Sequence, residues 1–364
     1  MAAIDQYVET NIVKPTEKEV RDKDMVEWGE GNGYPAYLVD LYDNVPTLKS
    51  IIDGDIDYIA GDDVVLGVLP EAFAGGIVNR KGDTFRDLIK DIAHDEELFG
   101  GFALQIVRDH NGDPAEIYYI NLEFLRSNKE NDVFYYCENW GKRGPKDTIV
   151  YPKFLKDINW ESLDEAGRKR HASSILFVKD NRNKVYPSPK FAAAVIDCET
   201  ERCTSNFHLN AVNNNFEASA IINFNNGVPD DKMREEIEQD VIEKYSGHQN
   251  GARIMLVYNS DKAHATTIEY PKVDDFGNRY QALASHCREQ IFTSFRAIPL
   301  LFGLTSESNT GFSVDEFEQS FKLYNRTQIR PVQRMIVEAL EKVLGKGAIA
   351  IRPFTLDGGE TNIS

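Results

Sequence analysis

The chain has 364 residues, 41% hydrophobic and 11% aromatic, with 59 acidic against 41 basic side chains and a net charge of −18. That much apolar sequence supports two or three folded domains and excludes a disordered chain. The acidic surplus argues against a free-standing protein that grips nucleic acid, because phosphate affinity is built from cationic side chains that displace counterions.

No apolar run approaches the roughly 20 residues of a membrane span. The opening MAAIDQYVETNIVKPTEKEV lacks the basic-then-apolar order of a secretion signal. Cys137, Cys198, Cys203 and Cys287 are scattered without the spacing of a zinc or redox pair, so they read as reduced thiols. Residues 1–33 carry mixed charge and close on WGEGNGYP, the composition of a loose arm. From Pro35, Tyr37, Leu38, Leu41, Val45, Leu48, Ile51 and Ile52 recur at helical spacing, with Pro46 and Gly54 expected as breaks. DGDIDYIAGDD then places five carboxylates in eleven residues. A metal site would need them convergent. A helix puts Asp53 and Asp57 on one face, and a solvated face is the plainer reading.

Residues 84–98 read as a short helix, followed by an alternating strand, GGFALQIVRD. Asn111-Gly112 is a hairpin signal, because both residues accept positive φ, and it leads into AEIYYINLEFL. Short strands are expected at 132–137, 149–151 and 174–178. The run Arg168, Lys169, Arg170, His171 reads as a solvated loop. Ser188 as cap and Pro189 at the first position open a helix reaching about Asn215, on the order of 40 Å long. Glu199, Glu201 and Arg202 interrupt its apolar stripe, as suits a helix standing beside copies of itself. His208 and His286 are lone imidazoles with surface or packing roles. Residues 217–272 form a compact αβ unit: strand ASAIINF, turn NNGVP, helix 230–245, then strands ARIMLVY and ATTIEY.

A second long helix, 276–298, carries Phe276, Tyr280, Leu283, Cys287, Ile291, Phe295 and Ile298 on one stripe. Pro299 ends it, and Gly303 stands at a capping position. After the polar segment TSESNTG, Ser313 and Glu316 have the spacing of a capping box. Val314, Phe317, Phe321 and Tyr324 form the inner face of that helix, with Asp315, Glu318 and Lys322 outward. Pro331 divides it from a turn-rich segment striped by Val332, Met335, Ile336, Leu340 and Val343.

The order IPLLFGL, TGFS and IRPVQRMIVEALEKVL resembles the C-terminal region of bacteriophage portal proteins of the HK97-like and P2-like kind. Leu300 stands where those proteins have a second proline. ELFGGFALQIVRDHNGDPAEIYYI resembles the portal wing, although Gly101 and Phe102 replace the commoner Asn and Ala. NFHLNAVNNNFEASAIINF is similar to the stem-to-clip junction of P2-like and PBSX-like members. The resemblance covers about residues 35–344.

The resemblance implies an α+β portal fold: arm 1–33, first wing part 34–186, stem helix 187–216, clip 217–273, stem helix 274–302, tunnel loop 303–312, second wing part with a kinked helix 313–352, and tail 353–364. Few residues follow Leu344, so no large crown is expected. It further implies a ring of about twelve copies at the capsid vertex of a virion, assembled in the host cytoplasm. DNA would be packaged and ejected through it without tight binding. The implied partners are the terminase large subunit, the head–tail adaptor, and the major capsid and scaffold proteins. No cofactor, metal or catalytic residue is implied, and the absence of GxxxxGK[ST] agrees. Thr305, Ser306, Glu307, Ser308, Asn309, Thr310 and Gly311 would line the channel. Glu199, Glu201 and Arg202 would meet neighbouring subunits. The rival reading is an intracellular α+β enzyme, such as a metal-dependent nuclease using Asp53, Asp55 and Asp57.

Overall fold

The computed structural model describes residues 12–20, 24–140, 148–180, 184–213, 221–224, 227, 229–230, 232–237, 255–259, 276–304 and 314–356. Strands β1 (Glu17–Val20) and β2 (Met25–Trp28) pair antiparallel, with Glu17 opposite Trp28. The first 33 residues are therefore not all a loose arm. Trp28 is 1% exposed and stacks on Tyr186 with ring centroids 4.6 Å apart. The glycine-rich turn behind it is held by the buried guanidinium of Arg126, which donates to Asn32 Oδ1 at 2.9 Å and Asn32 O at 2.8 Å.

Helix α1 (Tyr34–Asn44) gives way at Val45 to α2 (Pro46–Ala60). Pro46 opens the second helix, where its missing donor costs nothing. Gly54 does not break α2. It makes room for Phe302, whose ring would lie 2.7 Å from any Cβ at that position. Strand β3 (Asp63–Leu66) follows, and then α3 (Phe85–Phe99), which opens with a full capping box between Thr84 and Asp87. Gly100 at φ 82° turns the chain directly into β4 (Gly101–Arg108). The expected hairpin joins β4 to β5 (Pro114–Ile120) through a turn with Gly112 at φ 91°.

Strands β6 (Leu125–Ser127), β7 (Val133–Tyr136) and β8 (Ile149–Pro152) complete a five-stranded antiparallel sheet of order β1-β2-β6-β7-β8. The basic run 168–171 is helical rather than a loop. It lies in α4 (Glu165–His171), capped by the Asp164 carboxylate on Gly167 N–H at 2.8 Å. Its position in the last turn suits the helix dipole. Strand β9 (Ser173–Lys179) joins β4 and β5 in a second sheet with β4 at its centre. The long helix then starts as a tight 3₁₀ turn at Lys190–Ala194, with Pro189 just before it, and continues as α5 (Val195–Asn213).

Strands β10 (Ile221–Phe224) and β11 (Met255–Tyr258) run parallel. Parallel neighbours need a crossover, and residues 232–237, which are helical, lie within it. The Asp230 carboxylate accepts the Met233 N–H at 2.9 Å at the start of that helix. The expected strand ATTIEY lies outside the described residues. Helix α6 (Phe276–Phe295) ends before Pro299, which starts a 3₁₀ turn through Phe302. Helix α7 (Val314–Tyr324) runs through a π turn (Asn325–Ile329) into α8 (Arg330–Leu344), and the expected capping serine, Ser313, lies outside the described residues. The segment after Pro331 is therefore a full helix. The wider π turn lies just ahead of the proline, whose ring would crowd a regular turn. Strand β12 (Ile349–Arg352) returns to pair antiparallel with β3.

The chain divides into two compact units, 1–199 with 288–364, and 200–287. The division falls within α5 and α6, not at the ends expected for the stem helices. In the larger unit α2, α3 and α8 bury Ile51, Ile52, Ile89, Ile92, Ile336 and Leu340 in one core with Phe102 and Leu104 of β4. In the smaller unit Phe207 of α5 stacks on Tyr280 of α6 at 4.8 Å, with the exposed His208 against the same ring.

Gly100 is one of the tightest joints of this fold that a single methyl group tests. A Cβ there would sit 2.2 Å from the Ser188 carbonyl and would force a left-handed φ on an L side chain. Gly100→Ala should destabilise the protein by about 1–3 kcal/mol, read as a lower urea midpoint at unchanged m-value.

Candidate functional site

Segment 305–313 lies outside the described residues, so the expected channel residues Thr305 to Gly311 are approached through their flanks. On the leading flank Gly303, at φ 77°, caps the 299–302 turn, and the Tyr58 hydroxyl donates to Leu301 O at 3.0 Å. Phe302 sets its ring edge-on to Tyr58, Phe292 and Tyr324, at 6.2, 5.7 and 5.9 Å. On the trailing flank Phe321 and Tyr324 of α7 meet the same Tyr58, at 5.8 and 6.4 Å. Phe354, beyond β12, closes the cluster at 5.2 Å from Tyr58. Both flanks thus converge on one side chain of α2. Such aromatic pairs contribute about 0.5–1.5 kcal/mol each beyond their buried area.

Beneath this clamp lies a buried polar cluster. Tyr324 donates to Asp55 Oδ1 at 2.6 Å, and Lys190, at the start of the long helix, reaches Glu97 Oε1 at 2.5 Å. Asp55 is 2% exposed, Glu96 4% and Glu97 0%. Burial raises the Asp55 carboxyl well above its ordinary range, and Glu97 adds repulsion against the pull of Lys190 and the Tyr324 bond. Burial likewise pushes Glu96 up to about 8 despite Lys190, with Glu97, Asp180 and Asp95 raising it further. Burial works to lower Lys190, but Glu97, Glu96 and Asp55 outweigh it and hold the ammonium above its usual value. The second oxygens of Glu96 and Glu97 have no hydrogen-bond partner. Burial first, and then the neighbouring carboxyls, outweigh the one cation and favour the protonated form of Glu96.

The acidic triplet does not converge. Asp53 accepts the Tyr42 hydroxyl at 2.5 Å and Asp57 pairs with Lys90 at 3.1 Å, both on the exposed face of α2. Asp55 lies on the opposite, buried face. Among the described residues no group of three His, Cys, Asp or Glu side chains is placed to hold a metal ion. The nuclease reading therefore has no assembled site at Asp53, Asp55 and Asp57. Of the expected inter-subunit residues, Glu199 is 2% exposed, while Glu201 and Arg202 are half-buried, and each already has an interaction within the chain.

Sequence reading missed Tyr58, Lys190, Glu96, Glu97 and the inward role of Asp55. One signal was available for Asp55: it shares the helical face of Ile51, Ile52 and Ile59, two residues out of phase with Asp53 and Asp57.

Removing the cation leaves buried carboxylates uncompensated, so Lys190→Met should cost about 3–5 kcal/mol in urea unfolding. The Glu96 carboxyl binds its proton more tightly folded than unfolded. Its contribution to stability is therefore full below its unfolded value of 4.5 and is lost as pH rises towards about 8. Glu96→Gln should flatten the fall in unfolding free energy across that window, and equilibrium unfolding at a series of pH values measures it.

No protein-family model and no curated protein sequence matches the chain. Among solved structures, it is similar to a chain in the neck of an empty gene transfer agent (GTA) particle computed with C6 symmetry. The TM-score is 0.55 at 13% identity, over 88% of this chain and 84% of that one. A chain in the neck of the native GTA particle, computed with C12 symmetry, gives 0.50 at 15% identity over 87% and 83%. A weaker likeness, 0.47 at 11% identity over 86% and 94%, is to an HK97 family phage portal protein from Corynebacterium diphtheriae. At these identities the likeness is one of fold, and the chain shares the α+β fold of the GTA neck chains.

Proposed function

We propose that the chain is the subunit of a portal ring at one vertex of a phage or phage-derived particle, through which DNA is packaged and ejected. The observation that carries this reading is the clamp on Tyr58. A short segment of small polar residues is held from both flanks by helices rooted in the core, as a loop presented to a passing duplex requires. The fold likeness to chains in particle necks computed with C6 and C12 symmetry supports a closed ring, of about twelve copies. Head-to-tail contacts generate such rings. Glu201 and Arg202, with Glu199 behind them, supply polar side chains midway along one long helix for those contacts.

In this role the chain is a passage and a docking platform, not an enzyme. The terminase large subunit docks on the ring and hydrolyses ATP. Residues 217–273 receive the head–tail adaptor, and the wing meets capsid and scaffold proteins in the host cytoplasm and then in the virion. The duplex slides because segment 305–311, TSESNTG, has one charge, Glu307, and no Lys or Arg. Its hydroxyls and amides form weak, exchangeable bonds, whereas cations would form charge-assisted bonds to phosphate.

Mass photometry or negative-stain microscopy of the purified chain tests the ring. Particles of about twelve subunits are expected, and compact monomers at every concentration would overturn it. In rings that form normally, Ser306→Lys with Glu307→Lys should slow packaging and ejection by retaining DNA. Parental rates would remove 305–311 from the channel wall.

A further inference from the structure

The rod formed by α7, the π turn and α8 carries a cation at every fourth residue: Lys322, Arg326, Arg330 and Arg334, all exposed. Lys322 pairs with Glu318 at 3.1 Å. Among the described residues the side chains of Arg326, Arg330 and Arg334 have no hydrogen-bond, ion-pair or ring partner. Like charges four apart on a helix repel each other, so this ladder works against the stability of its own helix. Four residues also overshoot one α-helical turn by about 40°, which would spread an ordinary ladder around the rod. The π turn at Asn325–Ile329 advances less per residue and absorbs part of that drift. A costly stripe of arginines, kept on one face of an acidic chain, has the form of a docking surface.

The complementary surface lies on the same unit. Asp40 and Asp43 of α1 and Asp53 and Asp57 of α2 are all exposed, and although Lys49 lies 4.0 Å from Asp53 and Lys90 3.1 Å from Asp57, the face stays net acidic. The Tyr42–Asp53 bond joins the two helices at that face. Asp55 of α2 bonds to Tyr324 of α7, so Asp53 and Asp57, each about 200° around the helix from it, point away from α7. One copy therefore cannot bring its own acidic face to its own arginines. Two unlike patches on different faces of one unit are what a head-to-tail contact requires.

We infer that the ladder Arg326–Arg330–Arg334 docks onto the acidic α1–α2 face of the next copy and closes the ring. This rests on the ring reading above. A duplex is the other anionic partner, and the surroundings disfavour it. Leu323 is 59% exposed and Val314 74%, and Asp315 and Glu316 are exposed at the same end of the rod. Apolar and acidic neighbours suit a protein surface better than phosphates.

The test uses the full chain in mass photometry at low and high salt. Arg326→Glu with Arg330→Glu should lower the ring fraction by about tenfold or more at low salt, with Arg326→Gln and Arg330→Gln intermediate. Both positions are exposed and the substitutions relieve repulsion along the ladder, so the melting temperature should not fall below the parental value. Asp43→Arg with Asp57→Arg should also lose rings, and mixing this variant with the glutamate variant should restore them. Parental ring levels in the glutamate variant, or no restoration on mixing, overturn the assignment. So do intact glutamate-variant rings that have lost retention of a short DNA duplex, because the ladder then faces nucleic acid. Absence of rings in the parental chain overturns the portal reading itself, whereas parental rings with indifferent variants overturn only the ladder.

Discussion

The larger unit depends on one ammonium group among three buried carboxyls. Lys190 stands where the chain turns into its long helix, and Glu97 stands where α3 turns into β4. Asp55 sits in the middle of α2 and holds Tyr324 of α7. Asp55 and Glu97 are almost wholly enclosed, so each depends on its neighbours for charge balance. Burying such a set rarely adds net stability compared with an apolar core, but it does tolerate only one arrangement of the helices around it. The start of the long helix is thus tied to α3 by a charge as well as by apolar packing.

Helix α2 is the common support. Its inner face carries Ile51, Ile52, Asp55 and Ile59, and its flank carries Gly54 and Tyr58. Gly54 exposes bare backbone, which lets Phe302 approach at a distance a methyl group would forbid. Tyr58 then gathers Phe302, Phe321, Tyr324 and Phe354 around one ring. Residues on both sides of segment 305–313 are thereby anchored to the same helix.

The rod after that loop shows how a sequence breaker is absorbed. Pro331 removes a donor and crowds the preceding turn, which on sequence grounds marks a division. In the fold, the i→i+5 turn just ahead of it keeps α7 and α8 in one rod. The same widened turn carries Asn325 and Ile329 into the buried face and leaves Arg326 outside.

The sequence by itself determined the local structure. Periodicity gave α2, α3 and α6 and the apolar stripe of α8 though not its helix, Asn111-Gly112 gave the β4–β5 hairpin, and Pro299 with Gly303 gave the turn ahead of segment 305–313. Each of these depends on backbone sterics or on a repeat within about twenty residues, and the ordered motifs pointed to the portal-type fold. Tertiary structure alone decided what the polar residues do. Asp55 and Asp53 are chemically identical and two positions apart, yet one is buried against Tyr324 and the other faces solvent. Gly54 is a helix breaker by propensity and a packing site in fact. Glu96, Glu97 and Lys190 look like ordinary surface charges until helices distant in sequence enclose them. Burial and charge balance belong to the assembled neighbourhood, and no window of sequence contains it.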